Sequence, residues 1–285
     1  MRQVLPGVLF RHDPLVEPLP LVFDSPHSGT VYPDDFRFTA PDYVVRTAED
    51  THVDELYGTA PHHGATLIGA LFPRAYIDAN RDLADLDATL IDGDWPEPLS
   101  PGEKTRFGLG LIWRLAKPDT PMYDRKLSVA EVQQRIERYW RPYHATLDQA
   151  LDLLHARFGQ VWHINCHSMK SIGNKMAPDA GKKRPDFVLG DRDGTSCGGE
   201  FTAVVAEALK AMGYSVAIND PYKGVELVRK HGRPGERRHS LQIELNRARY
   251  MSERTQEKSE GFDRMATDLA RLVEVVADFV RGRIA

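Results

Sequence analysis

Short apolar runs bounded by Gly, Pro, Asn or Asp recur along the chain at residues 19–23, 65–70, 76–79, 161–166, 187–190, 214–218 and 241–245. Their length and their β-branched or aromatic content predict buried strands. Longer stretches between them carry apolar residues at helical spacing. Residues 128–158 repeat Val129, Val132, Ile136, Trp140, Leu147, Leu151 and Leu154, with Ser128 as N-cap and Gly159 as stop, while Pro142 predicts a kink or a split. Residues 199–212 end at Gly213, and residues 261–280 place Phe262, Met265, Leu269, Leu272 and Val276 on one face. Strands alternating with helices predict an α/β three-layer sandwich: a mixed, mostly parallel sheet flanked by helices. Residues 92–110 are Pro- and Gly-rich without periodicity, which predicts either a functional lid or a loose surface loop. With no internal repeat and no low-complexity linker, a single domain is expected over residues 1–285.

Composition narrows the partners. Lys plus Arg number 37 against 41 Asp plus Glu, so nothing favours a nucleic-acid backbone. No apolar run approaches the roughly 20 residues needed to cross a bilayer. The N-terminus lacks a secretory apolar segment, and Cys166 and Cys197 are the two cysteines, so a reduced, cytoplasmic protein is expected without a membrane or nucleic-acid partner.

In open α/β sheets ligands collect at the carboxyl ends of strands. Polar clusters stand there: Asp24 to Gly29 after the first run, Asn80, Arg81 and Asp82 after the third, and His167, Ser168 and Met169 after the fourth. The last run interleaves Gln242, Glu244 and Asn246, which share one face of a strand. A further cluster, Arg46, Glu49, Asp50, His52 and Asp54, reads as the start of a helix.

Two histidines at separate strand ends plus a carboxylate match the three-ligand set of a catalytic zinc site. Plain alternatives stand beside that reading: His27 as a turn histidine bonded to backbone, His167 as a part-buried strand-end histidine, Asp50 as a carboxylate favoured by a helix N-terminus, and Arg81 as an ion-pair partner of Asp78 or Asp82. Glu244 is harder to place structurally, because a carboxylate between Ile243 and Leu245 needs a partner or a shifted pKa. His52, His62, His63, His155, His163 and His239 read as structural or surface residues. Other chemistries lack their signatures. Ser28 is not in a GxSxG elbow, and Cys166 reads as a small core residue; Gly108-Leu109-Gly110 and residues 194–199 do not complete a phosphate loop.

Six segments, in this order, resemble the N-formylglutamate amidohydrolase family: Ser25-Pro26-His27-Ser28-Gly29, Glu49-Asp50 through Val53-Asp54-Glu55-Leu56, Asn80-Arg81-Asp82, Cys166-His167-Ser168-Met169, Gly190-Asp191-Arg192 and Gln242-Ile243-Glu244-Leu245-Asn246. The resemblance spans about Leu21 to Met251 and implies a zinc carboxypeptidase-like fold with one zinc per chain. It implies His27, Asp50 and His167 as zinc ligands, with Glu49 the alternative to Asp50, and Glu244 as general base. Asn80 and Arg81 would hold a substrate carboxylate, and a second carboxylate would need Arg46, Arg192 or Lys223. The chain has Tyr222-Lys223-Gly224-Val225 where the family carries paired glycines after an aromatic. The implied activity is hydrolysis of N-formyl-L-glutamate, or a related N-acyl or N-formimino acidic amino acid, as part of histidine degradation. A zinc carboxypeptidase or aminoacylase is the alternative, and a non-catalytic metal- or ligand-binding module a further one.

Overall fold

The computed structural model describes residues 2–174, 177 and 179–284. An eight-stranded sheet forms from β1 (Arg2–Leu5), β2 (Leu9–His12), β3 (Leu21–Ser25), β4 (Thr66–Ala70), β5 (Val161–Met169), β6 (Phe187–Gly190), β7 (Val216–Ile218) and β8 (Arg238–Asn246). Their order across the sheet is β1-β2-β4-β3-β5-β8-β6-β7. The centre is parallel, β4 to β3, β3 to β5 and β5 to β8, as is the β6–β7 pair at one edge. Antiparallel joins are β1–β2, β2–β4 and β8–β6. The expected mixed, mostly parallel α/β sandwich is thus the observed one.

The helices longer than one turn are α1 (Val129–Arg135), α2 (Arg141–Phe158), α3 (Gly199–Ala211), α4 (Glu226–His231) and α5 (Phe262–Ile284). Ser128 caps α1 in a full capping box with Glu131, and Gly159 ends α2 at φ +71°. The expected disruption at Pro142 takes the form of a π turn over Ile136–Trp140, directly ahead of the proline. Proline has no N–H to donate four residues back and its ring would strike that carbonyl; a wider turn accommodates both.

Strand alternation sorts the interior into two unlike halves. On β5 and β8, Trp162, Ile164, Cys166, Leu241, Ile243 and Leu245 pack with the apolar stripes of α3 and α5. Burying Leu269, Leu272, Val276 and their neighbours is worth about 1.5–3 kcal/mol per large side chain, which anchors α5 regardless of its propensity. The opposite face is polar at its centre: His163, Asn165 and His167 on β5 stand beside Ser240, Gln242 and Glu244 on β8, in that register. All six are buried. This polar row runs towards the carboxyl ends of the strands.

One expectation needs correction. Residues 76–79 are fully buried but not a strand. Their backbone is satisfied outside the sheet: Asp78 N–H donates to Leu111 O and Arg135 Nη1 donates to Tyr76 O. An apolar run of that length looks alike in a strand and in a buried irregular segment. The β1–β2 hairpin gave no sequence signal, since β1 is exposed throughout and lacks polar–apolar alternation. Residues 92–110 include a one-turn helix at Glu103–Arg106, held by Asp85 through Gly102 N–H and the Thr105 hydroxyl. Glu103, Lys104 and Leu109 border the pocket described next, which favours the functional loop over the loose one.

Candidate metal centre and cationic pocket

His27 lies in the turn after β3. Gly29 makes that turn possible, because a Cβ there would come 2.2 Å from Phe72 O. Ser25 and Ser28 hydroxyls meet at 2.5 Å, Ser28 donates to Asp50 O at 3.1 Å, and Asp50 N–H donates to His27 O at 2.9 Å. These bonds bind the 25–29 turn to the 49–50 segment. His167, from near the end of β5, completes a buried group in which one ligand atom each of His27, Asp50 and His167 lies within 4.8 Å of the others. Residues separated widely in sequence thus converge as the resemblance implies.

The protonation pattern of this group follows from its neighbours. Asp78 faces His27 Nε2 at 2.7 Å, and a carboxylate can only accept, so the proton sits on Nε2. His27 Nδ1 is then a lone-pair atom. It is buried, makes no hydrogen bond among the described residues, and lies 3.4 Å from Asp50 Oδ2. For His167 the chain is one step longer. Asp24 accepts from Asn165 Nδ2 at 2.7 Å, which turns Asn165 Oδ1 towards His167 Nε2, also at 2.7 Å. Asn80 Nδ2 stands 3.0 Å from the same Nε2, and on the other side of the ring Nδ1 faces Asp50 Oδ2 at 3.0 Å. Two imidazoles and a carboxylate converging in this way are the donor set of a metal ion, which takes the place of any proton shared between them.

Asp50 Oδ1 is held separately, by Arg247 Nη2 at 2.8 Å and the Ser168 hydroxyl at 3.2 Å. Burial opposes ionisation of Asp50, but His167 and the Arg247 guanidinium outweigh it and keep the carboxyl well below its usual range. Asp78 behaves alike, with Arg74, His27 and Arg81 overcoming burial. Glu49, the alternative to Asp50, turns away: its carboxylate accepts from the Tyr32 hydroxyl at 2.7 Å and from Thr51. Burial pushes Glu49 up, the opposite direction from Asp50.

Above the group opens a pocket lined by His27, His167, Asn80, Arg81, Gln242 and Glu244, among others. Glu244 is 8% exposed, in register with His167, and accepts from Gln242 Nε2 at 3.0 Å. Burial raises its pKa and the Asp50 charge adds to this, while His167, Arg74 and Arg184 oppose. Arg81 is buried and oriented by two carbonyls: Nε donates to Leu109 O at 3.2 Å and Nη1 to Asn80 O at 2.9 Å. Its sequence neighbour Asp82 pairs instead with Arg229. Asn80 lines the pocket with its amide engaged, Oδ1 by Leu227 N–H and Nδ2 against His167.

The expected second cations are corrected by the geometry. Arg46 and Arg192 fall outside the pocket lining. Arg46 is half exposed beside Glu49, and Arg192 Nη1 donates to Gly224 O. Lys223 borders the pocket, but its ammonium pairs with Asp193 at 2.8 Å in solvent. Other cations line the pocket: Arg74 paired with Asp78, Arg184 paired with Asp179, Arg247 on Asp50, and Lys104 and Lys170 with no ion pair among the described residues. Burial and neighbouring arginines lower both lysines, as crowded cations awaiting an anion would be. Tyr222, from the segment that departs from the paired glycines, packs its ring under Arg184 at 4.9 Å.

Sequence reasoning passed over Asn165 and Arg247, and it gave Asp24 and Asp78 no part in supporting the histidines. One signal was present: His163, Asn165 and His167 alternate on a single strand, so a ligand face should carry its supporting polar residues two positions away.

A sequence profile of the N-formylglutamate amidohydrolase family matches residues 19–251. The N-formylglutamate deformylase of Pseudomonas putida is 32% identical over 272 residues, covering 90% of this chain and 89% of that protein. The N-formylglutamate deformylase of Pseudomonas aeruginosa is 30% identical over 241 residues, covering 82% and 83%. A crystal structure of N-formylglutamate amidohydrolase from Ralstonia eutropha superposes with a TM-score of 0.93 at 50% identity, covering 98% of this chain and all of that one. With its motifs, its buried His-Asp-His group and these relatives in agreement, the chain belongs to the N-formylglutamate amidohydrolase family.

Proposed function

We propose that this protein is a zinc-dependent amidohydrolase that cleaves N-formyl-L-glutamate to formate and glutamate. The observation that carries the proposal is the convergence of ligand atoms of His27, Asp50 and His167, with His27 Nδ1 buried and unpartnered among the described residues, at the floor of a pocket walled by cations. Two histidines and a carboxylate are the donor set of a catalytic zinc with an open position, and the second shell of Asp78 and Asn165 fits them to that task. When bound, zinc supplies Lewis acidity and a water of lowered pKa.

The chain's own residues perform the rest. Glu244 accepts a proton from the attacking water and returns it to the amide nitrogen, so that the C–N bond breaks as the new C–O bond is completed. A buried carboxyl with a raised pKa suits both halves of that exchange. Arg81, fixed by two carbonyls, grips one substrate carboxylate, and Lys104 and Lys170 supply the charge for the other. A dianionic acidic amino acid thus fits the pocket better than a neutral peptide end, which favours this reading over a general aminoacylase. None of the described helices is long and apolar enough to cross a membrane.

The test is formate release by metal-loaded protein over N-formyl derivatives of glutamate, glutamine and leucine. The reading expects N-formylglutamate to lead by at least about a hundredfold in kcat/KM, as a site built around buried charges should. Equal rates for all three would refute the acidic substrate.

A further inference from the structure

Gln242 shares the polar face of β8 with Glu244 and is 3% exposed. Its Nε2 donates to Glu244 Oε1 at 3.0 Å. An ionised carboxylate only accepts, so this bond fixes which way the amide points. The other end, Oε1, is then directed elsewhere; it is buried and makes no hydrogen bond among the described residues, and Gln242 is one of the residues that line the pocket. A buried carbonyl without a donor is costly, and such atoms in native structures call for a partner.

We infer that Gln242 Oε1 accepts the N–H of the scissile formamide, so that Gln242 both positions the base and reads the substrate. This rests on the substrate reading above. N-formylglutamate in its dianionic form has a single hydrogen-bond donor, the amide N–H; every other polar atom accepts. The pocket is the complement: Arg81, Lys104 and Lys170 are donors, and Gln242 Oε1 is an acceptor left over. Accepting that N–H sets the amide nitrogen beside Glu244, the group that must return a proton to it. One side chain thus holds the base by its donor end and the leaving nitrogen by its acceptor end. Secondary amides are selected, and N-alkylated amides, having no N–H, are rejected.

The experiment compares kcat/KM of the zinc-loaded protein on N-formyl-L-glutamate and N-formyl-N-methyl-L-glutamate, in wild type and in Gln242→Met, a substitution of similar volume. Wild type should favour the N–H substrate by at least about a hundredfold. In Gln242→Met both rates should fall through the lost contact to Glu244, but the N–H substrate should lose about tenfold or more beyond that, so the ratio collapses. A purely structural role for Gln242 would lower both rates together and leave the ratio unchanged, which would overturn the inference. If the methionine variant fails to fold, Gln242→Asn keeps the amide one methylene short and carries the same ratio test. A wild-type ratio near one overturns the inference without any variant. A wild type that releases formate from neither substrate overturns the substrate reading, and this inference with it.

Discussion

Asp78→Asn is the most informative single perturbation of the metal centre, because Asp78 touches no substrate and is not itself a ligand in this account. Its Oδ1 accepts from His27 Nε2 at 2.7 Å and from Asn80 N–H at 2.9 Å, while Oδ2 accepts from Arg74 Nη2 at 2.8 Å and Nε at 3.2 Å. Asparagine keeps the shape and one acceptor, but removes the charge and turns an NH2 towards either Arg74 or His27. If the amide nitrogen faces His27, the imidazole loses the acceptor that keeps its proton on Nε2 and its lone pair on Nδ1. Removing such an outer partner typically costs 10- to 100-fold in metal affinity. Arg74, with a side chain only 17% exposed, is also left without its counter-charge; breaking a buried pair from one side costs about 3–5 kcal/mol. Zinc affinity by competition with a chromophoric chelator, and stability by urea denaturation of the metal-free protein, separate the two effects. Both should fall. Lower stability with zinc affinity unchanged would show that Asp78 supports the fold alone and that the tautomer argument for His27 is wrong.

Glu244→Gln should reduce turnover by about 10² to 10⁴ with zinc content retained, by metal analysis of the purified variant; loss of zinc would make Glu244 a ligand instead. Arg81→Lys should lower kcat/KM for N-formylglutamate far more than it lowers zinc affinity, because an ammonium cannot reproduce a guanidinium's paired hydrogen bonds, and a substrate amidated at the α-carboxylate should be poor even for wild type. An intact preference for the free acid in the lysine variant would count against the clamp. Acid should destabilise the fold through His144, which burial and the Lys230 charge hold at about 3 against an ordinary 6.5. Between those values the unfolded chain binds a proton that the folded chain refuses, so stability falls as pH drops, by about 1.4 kcal/mol per unit below 6.5. His231 shifts the same way through burial and adds to the slope. Urea midpoints from pH 7 to pH 5 should fall less steeply in His144→Gln, and an unchanged slope would dismiss His144 as a contributor.

Much of the site was legible because its residues lie on strands, where position and face are tied. His167 and Glu244 occupy the neighbouring strands β5 and β8, whose apolar residues fix them to the opposite face, so the face each one takes followed from period-two patterning. The sheet's centre was legible for the same reason, since β3, β5 and β8 are buried on both faces and read as apolar runs. Residues 76–79 read as a strand because burial alone makes an apolar run; which backbone groups satisfy it depends on Leu111 and Arg135, far along the chain. The choice of Asp50 over Glu49 likewise depends on Tyr32, which draws Glu49 away. The pocket's cations escaped notice because Lys104, on a one-turn helix, and Arg184, on a loop, are brought over the site by tertiary contacts, and Lys170 stands just past the end of β5, whereas Arg46 and Arg192 lie in or near motifs without lining the pocket. Proximity along the sequence was a poor guide to charge placement.

The central claim is that His27, Asp50 and His167 hold one metal without which the amide bond is not cleaved. Chelator-stripped protein titrated with zinc, with formate release from N-formyl-L-glutamate as the readout, tests it most directly. Activity should rise from near zero and break at one zinc per chain, and the same titration of His167→Ala should stay flat. Full activity in the stripped protein, or a His167→Ala titration that overlays wild type, would contradict the account.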